Sequence, residues 1–225
     1  MTTMSETLAN KEDNDTSCLV LVDEEGPYIP LDGLPDFRLT PWRPGDVDDV
    51  VDIFNRPEVE KWAVFRDIPY TPASAHTDFF THIPTHRAYL TQLISSLPYP
   101  PPSLPPDTKR KFIFGAVRQH STGRLVGVVS LGESSHQPGN WEVSYQLNPD
   151  FHRRGIGKGM IVSAVKFASW LGVKRVLAFC EKANPASSGA LRSAGFKQFM
   201  EVDIPLPEHL GGKVRPVLFF EHVVE

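Results

Sequence analysis

The spacing of hydrophobic and polar positions changes several times along the chain, and each change marks an element. Phe37-Arg-Leu-Thr-Pro-Trp42 alternates and reads as a strand. Pro44-Gly-Asp46 then opens a helix that carries Val47, Val50, Val51 and Phe54 at helical spacing, and Pro57-Glu58-Val59 begins another short helical turn. From Pro72 to Leu97 the pattern is mostly helical, with a break expected at Pro84. The segments Phe112–Gln119 and Arg124–Leu131 read as a hairpin around the turn His120-Ser-Thr-Gly123. Trp141–Leu147 is a strand. It is followed by a basic, glycine-bearing loop and a helix to about Leu171, with Ile161, Ala164, Val165, Ala168 and Leu171 on one stripe. Val173–Cys180, Phe196–Ile204 and Lys213–Val224 are further strands, and Pro185–Ala194 is a short helix closed by Gly195. Strands interleaved with helices, and no internal repeat, indicate an α/β or α+β fold on a mixed sheet.

Composition narrows the class. The chain has 225 residues, 40% hydrophobic and 22% charged, which suits one globular domain with appendages and a core that needs no metal or disulfide staple. Two cysteines, Cys18 and Cys180, make no disulfide framework and fit a reducing, cytoplasmic setting. Charge is uneven: residues 1–36 hold nine carboxylates against Lys11, a net −8, and the rest holds 18 acids and 22 bases, a net +4. Residues 1–34 therefore read as an acidic, largely flexible tail and 35–225 as the folded domain. Cys18-Leu-Val-Leu-Val22 is either an extra edge strand or an apolar piece of that tail. The body is too weakly basic for a nucleic-acid binder. No secretory signal is visible at the start, and the longest charge-free stretch, Ala88–Pro106, ends in a proline-rich insertion (97–107) unlike a membrane helix.

The segment Leu147-Asn-Pro-Asp-Phe-His-Arg-Arg-Gly-Ile-Gly-Lys-Gly-Met160 lies between a strand and a helix. Helix N-termini present unpaired N–H groups and a positive dipole end to anions. Gly155 and Gly157 would let a phosphate approach the backbone, and Arg153, Arg154 and Lys158 add positive charge. A solvated, glycine-softened turn is the plainer alternative. A Walker loop fails, because His152 stands where its first glycine belongs and Gly159 follows Lys158. A dinucleotide fingerprint fails in part, since Met160 takes its third glycine position and seven residues separate Leu147 from Gly155.

His152-Arg-Arg-Gly155-Ile-Gly157 instead resembles the acyl-CoA-binding motif of the GNAT N-acetyltransferase superfamily, Gln/Arg-x-x-Gly-x-Gly/Ala, departing only at its first position. Asn184-Pro-Ala-Ser187, followed by Gly195-Phe196, resembles a second block of that family. Trp141-Glu-Val-Ser-Tyr145 and Asn55-Arg-Pro-Glu-Val59 are similar to its RimJ/RimL-like branch. The resemblance covers about residues 37–224. It implies a mostly antiparallel sheet of about six or seven strands flanked by helices and splayed between the fourth and fifth strands.

The resemblance further implies acetyl transfer from acetyl-CoA to a primary amine, by direct attack in a ternary complex. On this reading Arg153, Arg154, Gly155, Ile156, Gly157, Lys158 and Gly159 hold the diphosphate, with His152 shaping the turn. Leu147, Asn148, Asn184 and Ser187 align the pantetheine arm, and the Leu147 N–H faces the developing oxyanion. Glu142 is the candidate general base, on the strand face shared with residues 144 and 146. The family's proton-donating tyrosine is absent, Leu191 occupying that place, so Ser187 is the candidate acid. The segment between the first two strands (43–111) is expected to set acceptor choice, especially Trp62, Phe65, Tyr70 and Tyr89.

The acceptor is a small-molecule or peptide amine, and the protein a monomer or homodimer, with no nucleic acid, membrane or metal involved. His82-Ile-Pro-Thr-His86 has zincin-like spacing but lacks the glutamate and contains Pro84. A buried strand position suits Cys180 better than a nucleophile's role. Pro102-Ser-Leu-Pro105 could dock a polyproline-binding groove or stiffen an insertion. The rival readings are a non-catalytic acyl-CoA-binding or interaction module on the same fold, and a nucleotide-dependent oxidoreductase.

Overall fold

The computed structural model describes residues 19–63, 66–102, 112–134, 137–206, 208 and 212–224. Among them, nine strands form one sheet: β1 (Leu21–Asp23), β2 (Gly26–Pro30), β3 (Phe37–Thr40), β4 (Ala116–Gln119), β5 (Leu125–Glu133), β6 (Trp141–Leu147), β7 (Arg175–Glu181), β8 (Lys197–Pro205) and β9 (Val214–Val223). The spatial order is β1-β2-β3-β4-β5-β6-β7-β9-β8, and every neighbouring pair is antiparallel except β6 and β7. Six helices accompany it: α1 (Val47–Phe54), α2 (Pro57–Glu60), α3 (Pro72–Asp78), α4 (Ile83–Ser96), α5 (Ile156–Trp170) and α6 (Pro185–Ser193).

The α/β class and the mostly antiparallel, splayed sheet agree with the sequence reading; the strand count is higher by two. The extra pair is β1 and β2, inside the stretch read as a flexible tail. Val20, Ile29 and Leu31 are buried to 1%, 1% and 2% exposure and belong to the main core. The acids of this stretch are also ion-pair partners of the body: Asp23 and Glu25 with Arg38, and Asp32 with Lys166. Residues 19–34 are thus part of the domain, and the proposed boundary moves toward the N-terminus. Val20→Ala is expected to cost about 2 kcal/mol of folding free energy, read by urea denaturation. A change within ~0.5 kcal/mol, the value for a tail residue, would contradict this placement.

One face of the sheet packs against α4, α5 and α6, with Phe114, Met160, Ile161, Phe167 and Leu191 at its centre. The other face carries α1 and α3, whose Val50, Ile53, Phe54 and Ala75 meet Ala116, Leu125 and Val128. Between the faces' attachments, Arg118 and Asp46 form a buried pair in which Arg118 Nη2 lies 2.9 Å from both carboxylate oxygens. This pair ties the start of α1 to β4.

Two local expectations are corrected. Pro84 does not break the helical region; it stands in the first turn of α4, where its missing N–H has no helical partner to lose. The break falls at Phe79, between α3 and a 3-10 turn, Phe80–His82. Residues 112–115 are buried but outside the ladder, and at Gly115 a Cβ would lie 2.7 Å from the Trp42 indole nitrogen. No helix among the described residues is long and apolar enough to cross a membrane.

Candidate active site

The parallel ladder between β6 and β7 contains only Trp141↔Val176 and Glu142↔Leu177. Both strands continue, to Leu147 and Glu181, so the sheet opens into a V with Glu142 at its vertex. Strand alternation decides which backbone groups face the opening. The Asn148 N–H reaches back to Val126 O at 2.8 Å, on the β5 side. The N–H and C=O of Leu147 therefore point into the gap.

The turn at the open end is built for close backbone approach. A 3-10 turn, Pro149–Phe151, leads to Arg153 at φ 61° and Gly155 at φ 80°, and α5 begins at Ile156. Arg153 is the one non-glycine residue with positive φ among those described. Two left-handed residues lead directly into the first turn of α5, whose leading N–H groups have no helical carbonyl to bond. Arg153, Arg154 and Lys158 are exposed around it. Arg154 also supports the turn, donating to Asp150 O at 2.9 Å and lying over the Phe151 ring.

The glycines have different duties. A Cβ on Gly157 would meet nothing within 4 Å, leaving open space beside the amides. A Cβ on Gly159 would lie 3.1 Å from Leu31 and 3.2 Å from Leu34. Gly159 lets α5 pack on the segment after β2, where Ser163 also bonds Pro30 O; its small size serves packing.

Asn148 has a structural duty in the turn. It is fully buried, and it shapes the turn: its Oδ1 accepts the Asp150 N–H at 3.0 Å and its own N–H is paired with Val126, while its Nδ2 has no partner among the described residues. His152 does more than shape: its Nε2 lies 3.1 Å from Leu147 O and holds that carbonyl at the mouth of the gap.

Glu142 is half-buried, and its Oε2 accepts from Ser134 Oγ at 2.8 Å. Ser187 sits across the gap, in the first turn of α6, whose N-cap Asn184 takes the Ser187 N–H at 3.1 Å. The sequence reading missed Tyr145. Its hydroxyl lies 2.8 Å from Ser187 Oγ and 3.1 Å from Ser187 O. Burial pushes the Tyr145 phenol up to about 12, against the pull of the Ser187 hydrogen bond. Burial likewise pushes the Cys180 thiol up, against an opposing pull from Ser187.

Of the residues expected to choose the acceptor, Tyr70 and Tyr89 are core residues at 3% and 2% exposure. Tyr70 packs on Phe54, donates to Asp78, and has both its backbone groups clasped by the Asn55 amide at 2.8 Å. Trp62 is half-buried at the surface; Phe65 and residues 103–111 lie outside the described residues. His82 and His86 have ring centroids 6.3 Å apart. Among the described residues, no group of three or more His, Cys, Asp and Glu is placed to share a metal.

Residues 36–197 match the family model described as acetyltransferase (GNAT) domain, and the chain belongs to that family. Its fold is shared with a ribosomal-protein-S5-alanine acetyltransferase from Vibrio fischeri (TM-score 0.64, 14% identity, covering 87% of this chain and 96% of that one). It is also similar to RimL, a ribosomal-protein α-N-acetyltransferase solved with coenzyme A (TM-score 0.64, 13% identity, covering 88% and 98%). A third similar structure is the spermidine N-acetyltransferase of Vibrio cholerae, with CoA and spermine (TM-score 0.61, 16% identity, covering 84% and 95%). No curated protein matches the chain.

Proposed function

We propose that this GNAT acetyltransferase moves the acetyl group of acetyl-CoA to a primary amine on a small molecule or peptide, by direct attack within a ternary complex. The observation that carries the reading is the V between β6 and β7, ending at a left-handed turn into α5 with open space beside Gly157. An extended thiol-bearing chain fits the V, and a diphosphate fits the turn. The structural relatives solved with coenzyme A support this choice of donor.

The residues divide the chemistry. Backbone N–H groups from Arg153 to Lys158 hold the diphosphate, with Arg153 and Lys158 adding charge; the Gly159 N–H is spent on Gly155 O at 3.0 Å and drops out of the expected set. The Leu147 N–H faces the carbonyl oxygen of the thioester as it becomes anionic; comparable donors are worth ~2.7–4 kcal/mol elsewhere. Glu142, at the vertex and steadied by Ser134, takes the proton of the incoming ammonium through water. The nitrogen then bonds to the acyl carbon, the C–S bond breaks, and the thiolate leaves toward Ser187, taking up the second proton lost by the nitrogen, so that the products are the amide and the CoA thiol. The buried Cys180 thiol, with its ionisation suppressed, is a poor acyl carrier, which favours direct attack over a covalent intermediate.

The test is release of free CoA thiol from acetyl-CoA across a panel of amines: polyamines, amino acids, amino sugars and peptides with free N-termini. Release that depends on the amine, with an acetylated product of matching amount, is expected. Binding of acetyl-CoA with no amine-dependent release would favour the non-catalytic module.

A further inference from the structure

The departing thiolate needs a hydrogen-bond donor, and the helix position that resembles the family's tyrosine site holds Leu191, which is fully buried in the core. A tyrosine is present all the same, on a different element. The register of β6 against β7 pairs Glu142 with Leu177, so three residues further on Tyr145 and Cys180 stand level on opposite sides of the gap. Ser187 meets the Tyr145 hydroxyl from the start of α6, at 2.8 Å from its own Oγ.

We infer that Tyr145 is a positioning residue for acetyl transfer: its hydroxyl donates to Ser187 Oγ and so turns the Ser187 proton toward the sulfur that leaves through the gap. This rests on the proposed acetyl-CoA reaction. A phenol is a stronger acid than an aliphatic hydroxyl, so across the 2.8 Å contact Tyr145 donates and Ser187 accepts. The Ser187 carbonyl is a competing acceptor, but at 3.1 Å it is the farther one, and the single phenol proton is assigned to the nearer Oγ. Buried as it is, the phenol keeps its proton throughout the working pH range and so keeps a proton to donate. Ser187 then places its own O–H into the gap, where the sulfur gains a hydrogen bond as negative charge builds on it. Tyr145 itself never touches the reacting atoms.

The experiment is a double-mutant cycle on the full chain with Tyr145→Phe and Ser187→Ala, measuring kcat, both KM values and acetyl-CoA binding by calorimetry. Tyr145→Phe is expected to lower kcat about tenfold, the scale of one neutral hydrogen bond, with KM values and acetyl-CoA affinity unchanged. Ser187→Ala is expected to cost at least as much. The double variant is expected to match Ser187→Ala, because Tyr145 has nothing left to orient. Additive losses, or an unchanged kcat in Tyr145→Phe, overturn the inference while leaving the acetyl-CoA reading intact; failure of the native chain to bind acetyl-CoA overturns that reading instead. Where Tyr145→Phe folds poorly, a fluorinated tyrosine at 145 keeps the shape and lowers the phenol's pKa. It is expected to bring an alkaline loss of kcat into the measurable range, and a flat alkaline limb overturns the inference equally.

Discussion

Glu142→Gln lowers kcat by roughly a hundredfold or more, the range for loss of a general base, and leaves the KM for acetyl-CoA near its native value. The substitution keeps the shape of the side chain and an oxygen to accept from Ser134 Oγ, so the vertex of the V stays closed as before. What it removes is the ability to accept the ammonium proton. The pH dependence has a definite sign. Amines have pKa values of about 8 at an α-amino group and about 10 on a lysine-like chain, so free amine accumulates as pH rises. The deficit of the variant should therefore shrink toward alkaline pH, where the acceptor arrives already deprotonated. Steady-state kinetics from neutral to alkaline pH check this. An equal deficit at every pH would assign Glu142 a structural role.

Gly157→Val is expected to raise the dissociation constant for acetyl-CoA by about a hundredfold, close to 3 kcal/mol, without lowering the melting temperature. The two effects part because a Cβ at 157 meets no protein atom within 4 Å, and a glycine in a helix costs backbone entropy that any side chain relieves. The open space beside it is where the diphosphate would sit. Gly159→Val is the control of opposite character. Its side chain would press on Leu31 and Leu34, so stability should fall. Thermal melting and calorimetry on both variants separate ligand space from packing space. Weak binding in neither variant would mean that the diphosphate rests elsewhere.

Much of this site was legible in the sequence where the signals are local. The ends of β6 agree to the residue, since alternation from Trp141 stops at Asn148-Pro149. The start of α5 follows from Gly155 and Gly157, and Asn184 caps α6 as its position suggests. Contacts between distant residues were not legible. The Tyr145–Ser187 pair spans 42 positions and joins a strand to a helix start, and nothing near Tyr145 announces it. An edge strand at Cys18–Val22 was one of two readings, but the β1–β2 hairpin was masked by its acids, which looked like a solvated tail because their partners Arg38 and Arg43 lie elsewhere in the chain. Tyr70 and Tyr89 illustrate another limit: an aromatic at helix spacing suits a cleft or a core equally, and only packing decides. The turn-shaping bonds of Asn148, from its backbone N–H to Val126 and from Asp150 to its Oδ1, were likewise beyond the reach of the sequence.

The most direct measurement is a titration of acetyl-CoA into isotope-labelled protein, followed through backbone amide resonances. Those of Arg153 to Lys158 should move first and furthest, joined by Leu147 in the gap, and the same set should move less with a fragment lacking the diphosphate. If millimolar acetyl-CoA leaves these amides unmoved, or moves only amides remote from the β6–β7 opening, the chain does not hold its donor in this V.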